Sequence, residues 1–124
     1  MISRREVLQG GVLIASVPLI PTALADPSLY RVLFDQRFAA SREFGAHAQW
    51  QGHTVRGFNG DITNVWFEEL RPKWRQGPAA IAGLTAHGAL FCLERLAWDA
   101  GMRVRKSEEL PSDSHESLYS WVIA

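Results

Sequence analysis

Cysteine is almost missing from this 124-residue sequence: Cys92 stands alone. A single thiol cannot close an internal disulfide, and it excludes Cys-ligated iron–sulfur clusters, CxxCH haem attachment and cysteine-rich zinc sites. Charge of one sign is missing too, with 13 basic residues against 13 acidic ones. That balance excludes the basic footprint of a nucleic-acid binder and the solvated tail of a charge-biased chain. No apolar run approaches the ~20 residues that cross a bilayer. The run from Val12 to Ile20 is short and broken by Pro18. The four histidines, His47, His53, His87 and His115, show no HxH or HExxH spacing, so a histidine-built metal site is not expected. Internal repeats and low-complexity tracts are absent, and no cofactor motif is found. What is present is 47% hydrophobic and 21% charged residues, enough apolar material for one soluble globular core.

The first 25 residues differ in kind from the rest. Ser3-Arg4-Arg5 is followed by apolar Val7 and Leu8, then by the run Val12 to Ile20, and then by Ala23-Leu24-Ala25 before Asp26. An arginine pair, a short weak apolar core and a small-x-small site in that order resemble a bacterial twin-arginine signal peptide. The resemblance implies cleavage between Ala25 and Asp26, passage through the twin-arginine translocase, a periplasmic location and no membrane anchor after cleavage. It also implies cargo that crosses already folded, often around a cofactor or bound to a partner. The whole chain resembles the small periplasmic proteins that Gram-negative bacteria send by this route, a likeness that implies an address and no activity. Residues 1–25 are therefore expected to be the leader and residues 26–124 a single α/β domain.

Along that domain, Tyr30 to Asp35 reads as a buried strand and Phe38 to Trp50 as a one-faced helix stopped at Gln51-Gly52. His53 to Phe58 reads as a second strand. Asn59-Gly60-Asp61 turns the chain, with Asp61 placed to cap a helix over Ile62 to Leu70 whose inward set is Val65, Trp66 and Leu70. Pro72 should end or kink that helix close to Arg71. Ala79 to Leu84 reads as a central strand, with Thr85 capping a helix from Ala86 to Ala100. Its inward stripe is Ala89, Leu90, Leu93, Leu96 and Ala97, widened by Phe91 and Trp98, with Cys92 inside or beside it and Gly101 at the C′ position. Met102 to Lys106 and Leu118 to Ile123 read as antiparallel neighbours joined by a solvated loop, Ser107 to Ser117. This order predicts a three-layer α/β sandwich on a mainly parallel sheet of four to five strands, with the last strand antiparallel.

In such a sheet the ligand crevice lies beyond the carboxyl ends of the parallel strands. Those ends carry Asp35 and Arg37, then Asp61, then the segment Gly83-Leu84-Thr85-Ala86-His87-Gly88. Arg37, Thr85, His87 and Gly88 are the ligand-binding candidates, because backbone N–H groups open at a helix N-terminus attract anions. Thr85, His87, Asp61 and Asp35 are the catalytic candidates: two carboxylates could act as acid and base, and Gly83 to Gly88 resembles the G-x-S-x-G nucleophile elbow with Thr85 in place of serine. Against this, turn and cap chemistry accounts for Asp61 and Thr85, and Arg37 can simply pair with Asp35. Trp74 and Arg75, within the charged run Arg71 to Gln76, have the composition of a partner-binding hot spot. Equally, cations there can answer a helix dipole while Trp74 folds back on the sheet.

Two functional expectations follow, from different classes. One is an exported accessory or ligand-binding protein, a small non-catalytic subunit of a larger periplasmic enzyme. The other is a small hydrolase-like enzyme with an anion site around Thr85 to Gly88. Both rest on export, so the leader is the first thing to test. Exchanging Arg4 and Arg5 together for lysine is expected to leave unprocessed chain in the cytosol, read by fractionation and immunoblot; undiminished processed product in the periplasm contradicts the resemblance.

Overall fold

The computed structural model describes residues 28–111 and 116–124. The segment expected to be a leader, with Arg4, Arg5 and Ala25, the expected first processed residue Asp26, and His115 lie outside the described residues. Five strands, β1 (Arg31–Asp35), β2 (Val55–Phe58), β3 (Ile81–Ala86), β4 (Val104–Leu110) and β5 (Leu118–Ile123), form one open sheet in the order β2-β1-β3-β5-β4. β1 pairs in parallel with β2 and β3, while β5 pairs antiparallel with β3 and with β4. β5 therefore runs against the other four strands, as expected of the last strand. The sheet is parallel at one end and antiparallel at the other. Helix α1 (Ala39–Trp50) links β1 to β2, α2 (residues 63–74) links β2 to β3, and α3 (His87–Asp99) links β3 to β4. α2 is continuous but built in three pieces: Thr63–Val65, a π-helical turn Trp66–Leu70, and Arg71–Trp74.

Alternate residues of each strand point to opposite faces. Leu33, Ile81, Trp121 and Ile123 accordingly join an apolar cluster with Val65 and Leu70 of α2 and Leu90, Leu93 and Ala97 of α3. Val32, Leu84 and Leu118 join a second cluster with Phe44 and Ala48 of α1. Trp121 is the largest fully buried side chain. It pairs across the sheet with Gly83, so its indole occupies the space a side chain would take there, and a Cβ on Gly83 would collide with the ring and come within 2.8 Å of the Leu33 carbonyl oxygen. Its Nε1 donates to Thr85 Oγ1 at 3.0 Å, and the Thr85 hydroxyl donates to the Ala86 carbonyl at 2.9 Å. Burying an indole removes about 150–250 Å² from water, worth roughly 4–6 kcal/mol. The net gain of the hydrogen bond is only about 1 kcal/mol, but leaving it unmade would strand a buried donor.

Ion pairs fix α2 to the sheet. Arg31 Nε donates to Glu69 Oε1 at 2.6 Å, Arg56 Nη1 donates to Glu69 Oε2, and Arg56 Nη2 donates to Glu68 Oε1 at 3.0 Å. Partial burial works against the charge on Arg56, but Glu69 and Glu68 outweigh it and hold the guanidinium above its ordinary pKa. The α3 terminus is a Schellman motif: Met102 N donates to Ala97 O at 2.9 Å and Gly101 N to Trp98 O at 3.1 Å, with Gly101 at φ 81° as its C′ position requires.

Several expectations need correction. Pro72 does not end α2, which runs on to Trp74. The π turn just before it, closed by Arg71 N donating to Trp66 O, places Pro72 at the start of a fresh α segment, where its missing N–H costs little. Thr85 does not cap α3; it lies inside β3, and the N-cap is Ala86. Phe91 and Trp98 do not widen the buried stripe, since they are 51% and 50% exposed, and Cys92 is exposed beside them. These positions turn about 100° from Leu90 and Ala97, beyond the arc that α3 buries. The segment from Ser107 is not all loop: β4 continues to Leu110, each polar residue paired with β5 in an edge strand that solvent bathes.

Gly83→Ala is expected to lose about 1–3 kcal/mol through overpacking against Trp121. Thr85→Ala should lose a similar ~1–3 kcal/mol by orphaning the indole N–H. Urea denaturation of each variant checks this, and wild-type midpoints for both contradict the role given to Trp121.

Candidate functional site

A crevice of about 300 Å³ opens where the carboxyl ends of β1, β2 and β3 meet the first turn of α3. Arg37 enters it from the end of β1, Gly60, Asp61 and Ile62 from the turn after β2, and Ala86, Gly88, Ala89 and Cys92 from β3 and α3. Glu116 closes it from the segment before β5. Of the residues expected here, Arg37, Asp61 and Gly88 do meet. Asp35 lies buried beneath Arg37, whereas Thr85 and His87 do not line the crevice. The Thr85 hydroxyl is fully buried and engaged by Trp121 and Ala86, and the His87 ring packs edge-on against Tyr119 with centroids 5.6 Å apart. Ala89, Cys92 and Glu116 are the lining residues that sequence reasoning missed. Gly88, Ala89 and Cys92 share one helical face, a spacing that could have placed Cys92 here.

The charged groups of the crevice mostly satisfy one another. Arg37 Nη2 donates to Asp35 Oδ2 at 2.8 Å, Arg37 Nε donates to both carboxylate oxygens at 3.1 and 3.2 Å, and the Arg37 backbone N–H donates to Oδ1 at 3.1 Å. Asp35 is thus a buried carboxylate held by its own turn, and it raises the pKa of the Arg37 guanidinium. Glu116 Oε1 stands 3.8 Å from Arg37 Nη1 and adds to that rise. Asp61 does not cap α2, whose N-cap is Ile62; it closes the turn one residue earlier, its Oδ1 accepting from the Thr63 hydroxyl at 2.6 Å and from the Thr63 backbone N–H at 2.8 Å. Those two bonds hold its carboxyl below the ordinary aspartate value. Arg37 here bridges two carboxylates and Asp61 anchors the start of α2. Among the described residues, no cluster of three or more His, Cys, Asp or Glu side chains is arranged to hold a metal ion.

The second concave feature lies on the flank where α2 and α3 run side by side. Ile62, Thr63, Trp66 and Phe67 of the α2 side and Phe91, Cys92, Arg95 and Leu96 of α3 line a cavity of about 340 Å³. A second cavity of about 310 Å³ continues it past Trp66 and Leu96 to Arg71, Trp74, Arg75, Asp99 and Ala100. Of the two readings for Trp74, the structure shows the ring folded back: it is buried, donates Nε1 to Ala79 O at 3.0 Å and meets Trp66 edge-on at 5.8 Å. An exposed hot spot at Trp74 itself is therefore corrected, while Arg75 remains exposed at the rim. Trp74 is core because α2 outruns Pro72 and carries the ring inward. The exposed aromatics are Phe67 and Phe91, which line this flank, Trp98 farther round α3 beneath Arg103, and Trp50 at the end of α1. No family model, curated protein or solved structure matches the chain.

Arg37→Ala is expected to cost about 1–3 kcal/mol by leaving the buried Asp35 carboxylate with a backbone donor alone. The figure sits below that of a fully buried pair because the guanidinium is 40% exposed. An unchanged unfolding midpoint contradicts the pairing. The depressed Asp61 pKa means that the contribution of its turn to Thr63 is full above the unfolded-state value of about 3.9 and fades as pH falls through the lower folded-state value. Carboxyl ¹³C titration should therefore place the Asp61 midpoint below that of the urea-unfolded chain.

Proposed function

We propose that this protein is an exported periplasmic accessory or ligand-binding protein that serves as a small non-catalytic subunit of a larger enzyme, with the twin-arginine translocase as its partner during export. One observation carries the reading: Phe67 and Phe91 stand 56% and 51% exposed on the α2/α3 flank, where both line an apolar cavity. Large apolar side chains gathered on one face of a soluble protein mark a surface that another molecule covers. Aromatic residues interleaved with arginine are what the centres of protein interfaces are built from. The leader-like first 25 residues supply the periplasmic part of the proposal, since the twin-arginine route accepts folded cargo, including cargo already bound to a partner.

The proposal includes a three-layer arrangement, with α1 on one face of the sheet and α2 and α3 on the other. The separate apolar clusters of α1 and of α2 with α3 support it. In that arrangement the α2/α3 side presents the docking flank.

Affinity purification from the periplasm under mild conditions should recover a second polypeptide at about one-to-one stoichiometry. Arg75→Ala should reduce that recovery without moving the unfolding midpoint, because the side chain is exposed. A monodisperse monomer with no companion contradicts the reading.

A further inference from the structure

The two cavities on the α2/α3 flank share Trp66 and Leu96 and so form one furrow. Along α3 its wall runs from Phe91 to Ala100, about 13–14 Å of helix or two and a half turns. Its floor is apolar. Its rim is cationic: Arg71, Arg75 and Arg95 face a single lining acid, Asp99, and none of the three arginines makes an ion pair among the described residues. Two of them are held against aromatic faces instead, Arg71 5.5 Å from the Phe67 ring centroid and Arg95 5.5 Å from that of Trp98, which Arg103 also approaches at 5.1 Å. Arginines stacked in this way lose less freedom when a carboxylate arrives than arginines on open surface.

We propose that this furrow is the docking site for an amphipathic helix of the partner protein, whose apolar face carries anchors at i, i+3 or i+4, and i+7 and is flanked by aspartate or glutamate. The inference rests on the accessory-subunit reading and specifies its surface. Length selects the helix, since two and a half turns of wall match three successive anchors of an incoming helix. Charge selects the acidic flanks, because an unpaired arginine rim around an apolar floor is complementary to carboxylates and repels a basic helix.

The test uses the full chain and two labelled synthetic peptides of about five helical turns that share one leucine face, one flanked by glutamate and one by lysine. Fluorescence anisotropy at low salt should show the glutamate peptide binding at least about tenfold more tightly than the lysine peptide, with the difference shrinking as salt rises. R71E/R95E should reverse the order of the two peptides, and Phe91→Ser should weaken both. All three substituted side chains are exposed, and an unchanged circular dichroism melt verifies that the variants fold. Equal binding of both peptides, no binding of either, or an unchanged order in R71E/R95E overturns the proposal, as does co-sedimentation with anionic vesicles that competes the peptide away. The wild type and R71E/R95E are also compared as baits for the periplasmic companion. Equal recovery by both overturns the furrow while the accessory reading stands; the predicted peptide order with no companion upholds the furrow and removes that reading.

Discussion

The structure depends on the place taken by one indole. Trp121 lies over Gly83 and donates to Thr85, so a residue of the last strand is locked to two residues of the central one. β3 is the strand at which the sheet changes from parallel to antiparallel pairing, and this lock lies at that junction. Burial of the ring outweighs its hydrogen bond several-fold, but the bond sets which way the ring faces. A glycine beneath and a hydroxyl two residues on are the requirements, and they place Gly83 and Thr85 in structural roles.

The same arrangement explains what the two concave features can do. At the strand ends, Arg37 folds back on buried Asp35 and Asp61 turns to Thr63, so the charges of the crevice are committed to holding loops in place. On the flank, α3 spends Ala89, Leu90, Leu93 and Ala97 on the sheet, and α2 spends Val65, Leu70 and Trp74. Their remaining aromatic residues have no described element above them. An apolar surface bounded by arginines on a domain this small is consistent with a subunit that meets a partner.

Much of the architecture was legible because it is written in short-range patterns. The short, nearly continuous apolar runs at Tyr30 to Asp35 and Leu118 to Ile123 mark two strands to within a residue, and Gly101 after the α3 stripe marks its stop. Residues whose environment is decided by distant packing were not legible. Thr85 looks like a helix cap until Trp121, 36 positions away, claims its hydroxyl. Pro72 reads as a terminator because nothing local announces the π turn that accommodates it. Phe91 and Trp98 read as core from their i, i+7 spacing beside the apolar stripe, and that spacing cannot say that no further element covers them. The crevice was legible in part: strand ends brought Arg37, Asp61 and Gly88 together, whereas Glu116 arrives from a segment too polar to suggest a site.

The central claim is that the α2/α3 flank is open in the isolated chain and covered in the working assembly. Cys92 lies in this furrow and is the sole thiol of the chain, so its rate of reaction with a thiol reagent reports on that claim directly. The account predicts rapid, complete labelling of the isolated protein and labelling slowed by about tenfold or more when the companion is bound, as expected for a site excluded from water at an interface. A thiol that reacts only on unfolding, or at the same rate with and without the companion, contradicts it.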